Sequence, residues 1–357
     1  MKKNVAIVLP YVPVNPVGGV IVVFQYAEEL LKRGNNVFIY YKTDMIWNNK
    51  LIHFPKFIRK IVAQYATLKF PNWYGLNKGI KKYSLFEKSD IKNHDIIIAT
   101  GIETAEIVSS LPNTAGEKFY FIQGFENWGY DDNQVLESYK LGMNNIVISK
   151  WLSNIVEKET GKKPFYVPDG IDNKIFYVNP NQVREPYSIT FHYRKDEYKG
   201  CIYAIRAIEL LKVEYPNLNV TIVSKENRTD VIPEWCHYVE NATLDEVAKI
   251  NNRSQVFICS SISEGFGLPG LEAMACGCAL CTTDYLGGKE YAKDEYNCLV
   301  SPIKNVERMV KNIKLMFENK ELREFIVQNG IKTAMEFSGE KSADKFINVL
   351  FSDSNLI

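Results

Sequence analysis

Short β-branched apolar runs alternate along the chain with stretches in which apolar residues recur every three to four positions. Val5–Leu9 predicts a buried strand. Val20, Val23, Phe24, Ala27, Leu30 and Leu31 then follow helical spacing, and Gly34 ends that helix. Val37–Tyr41 predicts the next strand, followed by Ile96–Thr100, Phe119–Ile122, Ile146–Ser149 and Phe165–Val167. After residues 173–187, which carry two prolines and little periodicity, the pattern restarts. Strands are predicted at Ile189–His192, Val220–Val223, Val256–Cys259, Ala279–Thr282 and Cys298–Val300. Helical patterns such as Ile202–Val213 and Val306–Phe317 separate them, and a last amphipathic segment spans Lys341–Phe351.

Strands that alternate with helices imply parallel sheets covered on both faces. Two such series predict an α/β protein of two doubly wound Rossmann-like domains facing each other across a cleft. The expected boundaries are 1–172 for the first domain, 173–187 for a linker, 188–338 for the second domain and 339–357 for a C-terminal helix packing back on the first. The length of 357 residues suits two domains, and 46% hydrophobic with 24% charged residues excludes disorder, collagen and coiled coil.

Net charge is +1, so nothing global points to nucleic acid. Charge becomes informative only locally. Residues 45–86 carry eight Lys/Arg and no Asp or Glu, interleaved with Phe54, Phe57, Tyr65, Phe70, Trp73, Tyr74 and Tyr83. That mixture suits an anionic membrane surface or a lipid-phosphate acceptor. No run of about 18 apolar residues predicts a spanning helix. Pro10, Pro13 and Pro16 interrupt the first apolar run, unlike a signal peptide. All seven cysteines fall in the C-terminal half. Cys276, Cys278 and Cys281 sit in an apolar run that reads as a helix end and a buried strand rather than a zinc site. Free thiols suit a reducing compartment, so the expected location is cytoplasmic, peripheral on the inner membrane face. Abundant Lys, Asn and Ile suit an AT-rich, bacterial genome.

The richest chemistry follows the strand at Val256–Cys259. In Ser263-Glu-Gly-Phe-Gly-Leu-Pro-Gly-Leu-Glu272, Gly265 and Gly267 allow a tight turn, and Pro269 suits the first turn of a helix. Gly265, Phe266, Gly267 and Leu268 thereby bring backbone N–H groups and a helix N-terminus to one point, an anion site suited to a diphosphate. Glu264 precedes that helix and Glu272 is expected in its first turn. Carboxylates repel phosphate, so their natural partners are hydroxyls of a ribose and a sugar. Arg194 and Lys199 supply two cations, Arg as a fork and Lys as a point charge. Asp131-Asp132 lacks D-x-D spacing and reads as a solvated turn, so no metal ligand is assigned. His192, at a strand end, reads as structural.

The acids resemble the E-x7-E motif of the retaining family-4 glycosyltransferases, which have the GT-B fold. Arg194-Lys-Asp-Glu-Tyr-Lys199-Gly200 resembles the family's R-x4-K-G segment, Val167-Pro-Asp-Gly-Ile-Asp172 its V-P-N-G-V-D turn with Asp169 for Asn, and Gly18-Gly19-Val20 its glycine loop. Phe337-Ser-Gly-Glu-Lys341 resembles its closing F-S-W segment, with Gly339 for Trp. The resemblance implies metal-independent, retaining transfer with no cofactor, the donor being a nucleoside-diphosphate sugar of the dTDP or UDP type. The first domain is then the acceptor side and the second the nucleotide-sugar side. Glu264 would contact the transferred sugar, Glu272 the ribose, and Gly18 and Gly19 the diphosphate. The acceptor would be a glycan or lipid-linked molecule of surface-polysaccharide synthesis.

Where many relatives have a histidine, this chain has Gln123, which can orient a hydroxyl but not titrate. Ser224-Lys225-Glu226 stands in place of a Gly-x-Gly turn, leaving base and sugar open. Phe121-Ile-Gln-Gly-Phe-Glu-Asn-Trp128 with Ile148-Ser-Lys-Trp151 is similar to a rhamnosyltransferase subset, in which Glu126 or Trp128 would line the acceptor side. A glycosidase would not need a diphosphate cradle. A sugar-nucleotide epimerase and a non-catalytic GT-B partner subunit remain alternatives; a dehydrogenase is disfavoured because no G-x-G-x-x-G follows the first strand. Oligomeric state is not legible.

Overall fold

A computed structural model describes residues 2–43, 54–127 and 129–352, so the expectations for residues 45–53 and for Trp128 lie outside the described residues. The chain divides into two compact units. One holds the residues up to Pro168 together with those from Ser342 on, and the other is Asp169–Lys341.

The first unit is built from β1 (Asn4–Leu9), α1 (Gly18–Lys32), β2 (Asn36–Lys42), α2 (Lys56–Lys69), β3 (Lys81–Leu85), β4 (Ile96–Ala99), α3 (Ile102–Ser109), β5 (Glu117–Ile122), α4 (Asp132–Ser138), β6 (Asn144–Val147), α5 (Lys150–Thr160) and β7 (Phe165–Tyr166). Its strands run parallel in the order β3-β2-β1-β4-β5-β6-β7. Val5 on β1 stands opposite Val37 on one side and Ile96 on the other. The central strands are buried on both faces, which is why β4 reads Ile-Ile-Ile-Ala without alternation. Gly34, at φ +85, closes α1 in the left-handed conformation that a side chain disfavours.

The second unit repeats the plan. Its elements are β8 (Ser188–Tyr193), α6 (Cys201–Glu214), β9 (Asn219–Ser224), β10 (His237–Glu240), α7 (Leu244–Arg253), β11 (Val256–Cys259), α8 (Leu268–Ala275), β12 (Ala279–Thr283), β13 (Leu299–Ser301), α9 (Val306–Glu318) and α10 (Lys320–Glu336). The sheet order is β10-β9-β8-β11-β12-β13, again parallel. The strand order of each unit reverses between its first and fourth strands, the place where doubly wound sheets bind ligands. The core of this unit is a cluster around Ile189, Phe191, Ile208, Val220, Ile258 and Ile313.

The last helix, α11 (Gly339–Phe351), contributes its residues from Ser342 on to the first unit. Phe346 stacks on Tyr26 at 4.4 Å and meets Phe121 at 5.3 Å, and Arg33 pairs with Asp344. Residues 173–187 form neither helix nor strand and are strapped to the second unit. Arg184 donates to the carbonyls of Asn251 at 3.0 Å and Cys276 at 2.7 Å, and Glu185 pairs with Arg253 at 2.5 Å.

Four elements exceed the pattern reading, namely α2, β3, β10 and α10. Two further details correct it. Asp131 and Asp132 are exposed, as a solvated turn implies, but the turn is a helix start: the Asp131 carboxylate accepts the Gln134 N–H at 2.9 Å and caps α4, whose first residue is Asp132. Glu272 lies one turn deeper in its helix than expected, because α8 begins at Leu268. The seven cysteines are all buried free thiols, with Cys276 just past the end of α8 and Cys281 inside β12.

Candidate active site

The second unit gathers its chemistry at the C-terminal ends of β8, β9 and β11, beside the reversal of strand order. Arg194 follows β8 and Lys225 follows β9. Because Tyr193 pairs with Ser224 across the two strands, the two cations leave the sheet side by side. The Ser224–Glu226 turn is fixed by its own polar groups. Ser224 Oγ donates to the Tyr193 carbonyl at 3.1 Å, the Glu226 N–H donates to Ser224 Oγ at 3.0 Å, and the Glu226 carboxylate accepts the Lys195 N–H at 3.1 Å.

The Arg194–Gly200 loop is packed hard against the loop after β11. The N–H groups of Ile262 and Ser263 both donate to the Tyr198 carbonyl, at 2.8 and 3.2 Å. Gly200, at φ +59, is pressed so closely on that loop that a Cβ would stand 2.2 Å from the Ser260 carbonyl oxygen. Only glycine fits there, and the approach brings Lys199 to Glu264, with Nζ and Oε2 3.2 Å apart. Ser261 Oγ donates to the other oxygen of the Glu264 carboxylate. Burial opposes the charge of Lys199, but the adjacent Glu264 outweighs it and holds the ammonium pKa above its ordinary value.

The glycine turn into α8 has an equally specific support. Gly267 is the N-cap at φ +97, and a Cβ there would lie 2.0 Å from the Tyr285 hydroxyl. The Gly267 carbonyl accepts from Tyr291 Oη at 2.7 Å, and the two tyrosine hydroxyls are 3.1 Å apart. The Phe266 ring is buried between Tyr291 and Phe337, at 5.7 Å from each, so this residue can offer a ligand only its backbone. No side chain caps α8, and the partial positive charge of its first turn is not neutralised by an acid there. Glu272, in the second turn, is pushed up to about 7 by burial, with Lys225 pulling the other way. Lys225 is itself pulled down to about 8 by burial and by Arg194, with Glu272 opposing. Lys225 is thus within electrostatic reach of both Arg194 and Glu272. Pattern reading registered Lys225 only as a departure; its signal was its position, in step with Arg194 across neighbouring strand ends.

His192, expected as structural, is pulled down to about 4 by burial and its ring stands edge-on to Phe257 at 5.7 Å. It is an uncharged packing group.

The first unit holds the other expected residues. Gly18 and Gly19 open α1 behind Val17, which provides no side-chain cap. They form the first helical turn rather than a loop. Gln123 follows β5 and lies against Gly19, where a Cβ would sit 2.8 Å from Gln123 Oε1. That oxygen is buried and has no hydrogen-bond partner among the described residues. Glu126, three residues on, accepts the Ile102 N–H at 2.7 Å at the start of α3 and is pushed up to about 7, mainly by burial and also by Glu103. Gly18, Gly19 and Gln123 are therefore brought together in one unit, and Glu264, Arg194, Lys199 and Glu272 in the other. Among the described residues no cluster of three His, Cys, Asp or Glu could hold a metal ion.

Two Rossmann-like units with these strand orders are the GT-B fold. Residues 176–333, the segment carrying the acids and cations, match the family model described as Glycosyl transferases group 1. An uncharacterized glycosyltransferase of Methanocaldococcus jannaschii is 25% identical over 199 residues, covering 55% of this chain and 56% of that protein. The N,N'-diacetylbacillosaminyl-diphospho-undecaprenol alpha-1,3-N-acetylgalactosaminyltransferase of Campylobacter jejuni is 26% identical over 113 residues, covering 32% of this chain and 30% of that protein. The chain thus spans about half the length, or less, of these curated relatives. Among solved structures, Anabaena HepE in complex with UDP and glucose superimposes with a TM-score of 0.76 at 11% identity, over 98% of this chain and 100% of that one.

Proposed function

We propose that this chain is a retaining, metal-independent glycosyltransferase. It moves a sugar from a nucleoside diphosphate, UDP or dTDP, to a glycan or lipid-linked acceptor in surface-polysaccharide synthesis. The observation that carries the reading is that Arg194 and Lys225 leave neighbouring strand ends while Lys199 is bonded to Glu264, in the loop that leads into the uncapped start of α8, with Glu272 in that helix. Three cations and a helix N-terminus suit a diphosphate on which negative charge grows as the sugar departs. In the reaction, the acceptor hydroxyl oxygen bonds to the anomeric carbon on the face the leaving group vacates. The carbon–oxygen bond to the diphosphate breaks, and the hydroxyl proton passes to the departing phosphate oxygen. Glu264 is assigned to the sugar hydroxyls. Glu272, which burial holds near neutrality, is assigned to the ribose diol.

The first unit is assigned the acceptor, with Gln123, seated against Gly19, orienting a hydroxyl and Gly18 leaving open space beside its backbone for a phosphate. The likeness to the Campylobacter jejuni transferase, named for a diphospho-undecaprenol acceptor, supports a lipid-linked acceptor here. The likeness of Phe121–Trp128 to rhamnosyltransferases supports rhamnose as the sugar, with dTDP as its carrier. The reading is tested with purified protein, UDP-sugars and dTDP-rhamnose, and lipid-linked acceptor without added metal: product of retained anomeric configuration is expected. Nucleotide binding without turnover on any donor would instead support a non-catalytic partner subunit, the reading that the untitratable Gln123 favours.

A further inference from the structure

Helix α2 is amphipathic in the wrong sense for a helix of a water-soluble surface. Its polar side faces the body of the first unit. Lys60 pairs with Asp90 at 2.9 Å, and Gln64 donates to the Lys82 carbonyl at 3.1 Å and accepts the Ser84 N–H at 2.9 Å. Only Ala63 and Thr67 of this helix are fully buried. Its large apolar side chains point the other way. Phe57, Ile61, Tyr65 and Leu68, spaced to share one face, are 64%, 66%, 64% and 58% exposed, and Phe54 just ahead is 47% exposed. A soluble surface helix turns such a stripe inward; four neighbouring side chains of this size left in water mark an interaction surface.

Charge selects the occupant. Residues 54–90 hold eight Lys/Arg against two acids, Glu87 and Asp90. Both acids are engaged on the protein side, Glu87 by Lys56 and Lys60 and Asp90 by Lys60. Lys69, at the rim of the apolar face, and Lys78 and Lys81 beyond it remain exposed. A second copy docked through this face would bring two such basic rims together. A surface of anionic lipid offers both an apolar layer and matching charge, and a tyrosine on the stripe suits the headgroup level.

We propose that α2 seats the protein on an anionic lipid bilayer. Phe57, Ile61, Tyr65 and Leu68 enter the boundary between headgroups and acyl chains, and Lys69 and its neighbours pair with the lipid phosphates. This deepens the reading of a lipid-linked acceptor and rests on it for its purpose, since a bound enzyme would meet its acceptor in the plane where that acceptor lies. The test is co-sedimentation of the full chain with phosphatidylcholine vesicles, with and without phosphatidylglycerol. Binding is expected only with the anionic lipid and should weaken as salt rises. Replacing the stripe by serine (F57S, I61S, Y65S and L68S together) should reduce the partition coefficient at least about tenfold. The melting temperature should hold, because the removed groups lie in water. Sedimentation indifferent to phosphatidylglycerol, or unaltered in the serine variant, overturns the proposal. So does a concentration-dependent dimer in light scattering that the variant abolishes. Nucleoside-diphosphate binding, measured in the same preparations, belongs to the second unit. Its retention alongside failed vesicle binding would refute the seat and leave the transferase reading standing.

Discussion

Glu264 accepts from Ser261 and pairs with Lys199, so its position is held from two sides before any ligand arrives. Glu264→Ala is expected to lower turnover at least about a hundredfold while nucleoside-diphosphate affinity stays within about threefold, because its assigned partner is the sugar. Titration calorimetry beside a transfer assay separates the two, and full activity in the variant would remove the role. Lys225→Ala should weaken diphosphate binding about tenfold, the loss of one charge-assisted contact; equal affinities would take Lys225 out of the cradle. Asp169 offers a test of pH. It is buried, its Oδ1 has no partner among the described residues, and desolvation pushes it up to about 7. A carboxyl that holds its proton more tightly when folded stabilises fully below its unfolded pKa near 4, and that stability is lost as pH rises towards 7. Asp169→Asn should therefore equal the parent near pH 4 and exceed it by a few kcal/mol, about 2–4, at pH 8; parallel stability curves would contradict this. At this scale the acids and the cations Arg194 and Lys199 were legible, because glycines and helix signals surround them. Lys225 was not, since its meaning depends on which residue leaves the neighbouring strand beside it.

At the scale of elements, the central strands were readable because they are buried on both faces and their apolar runs have no other explanation, and the short edge strands β7 and β13 were readable because they are apolar as well. The two missed strands, β3 and β10, lie at sheet edges. Lys-Lys-Tyr-Ser-Leu and His-Tyr-Val-Glu carry the charged and polar residues that protect an edge from further pairing, and those residues hide the strand from a hydrophobic pattern. Helix α2 escaped for a related reason: its apolar spacing is helical, but the composition around it speaks of a surface. The loops that make the site depend on two glycines with positive φ. Gly200→Ala would force a Cβ onto the Ser260 carbonyl, part of a backbone that cannot swing aside. A stability loss of about 2 kcal/mol or more is expected, with weaker nucleotide binding because the loop that carries Arg194 and Lys199 would be displaced. Chemical denaturation reads the first effect and calorimetry the second. An unchanged midpoint would show that the two loops are not packed as described.

At the scale of the molecule, the doubling of one architecture was readable because the strand–helix alternation restarts. The destination of the last helix could not be settled by its periodicity alone, since an amphipathic face names no partner. Phe346 answers that by stacking on Tyr26 of the first unit, and Phe346→Ala should cost about 3 kcal/mol or more. The most direct test of the whole account is the melting temperature of the intact protein with UDP, dTDP, GDP and ADP in turn, without metal, for the parent and for Arg194→Ala. At about 100 times its dissociation constant a ligand adds roughly 2.7 kcal/mol of stability. A clear upward shift is expected with one pyrimidine diphosphate, UDP or dTDP, and the Arg194 variant should lose it. No shift with any of the four at millimolar concentration, or a shift that Arg194→Ala leaves intact, would contradict the assignment of the second unit as the donor site.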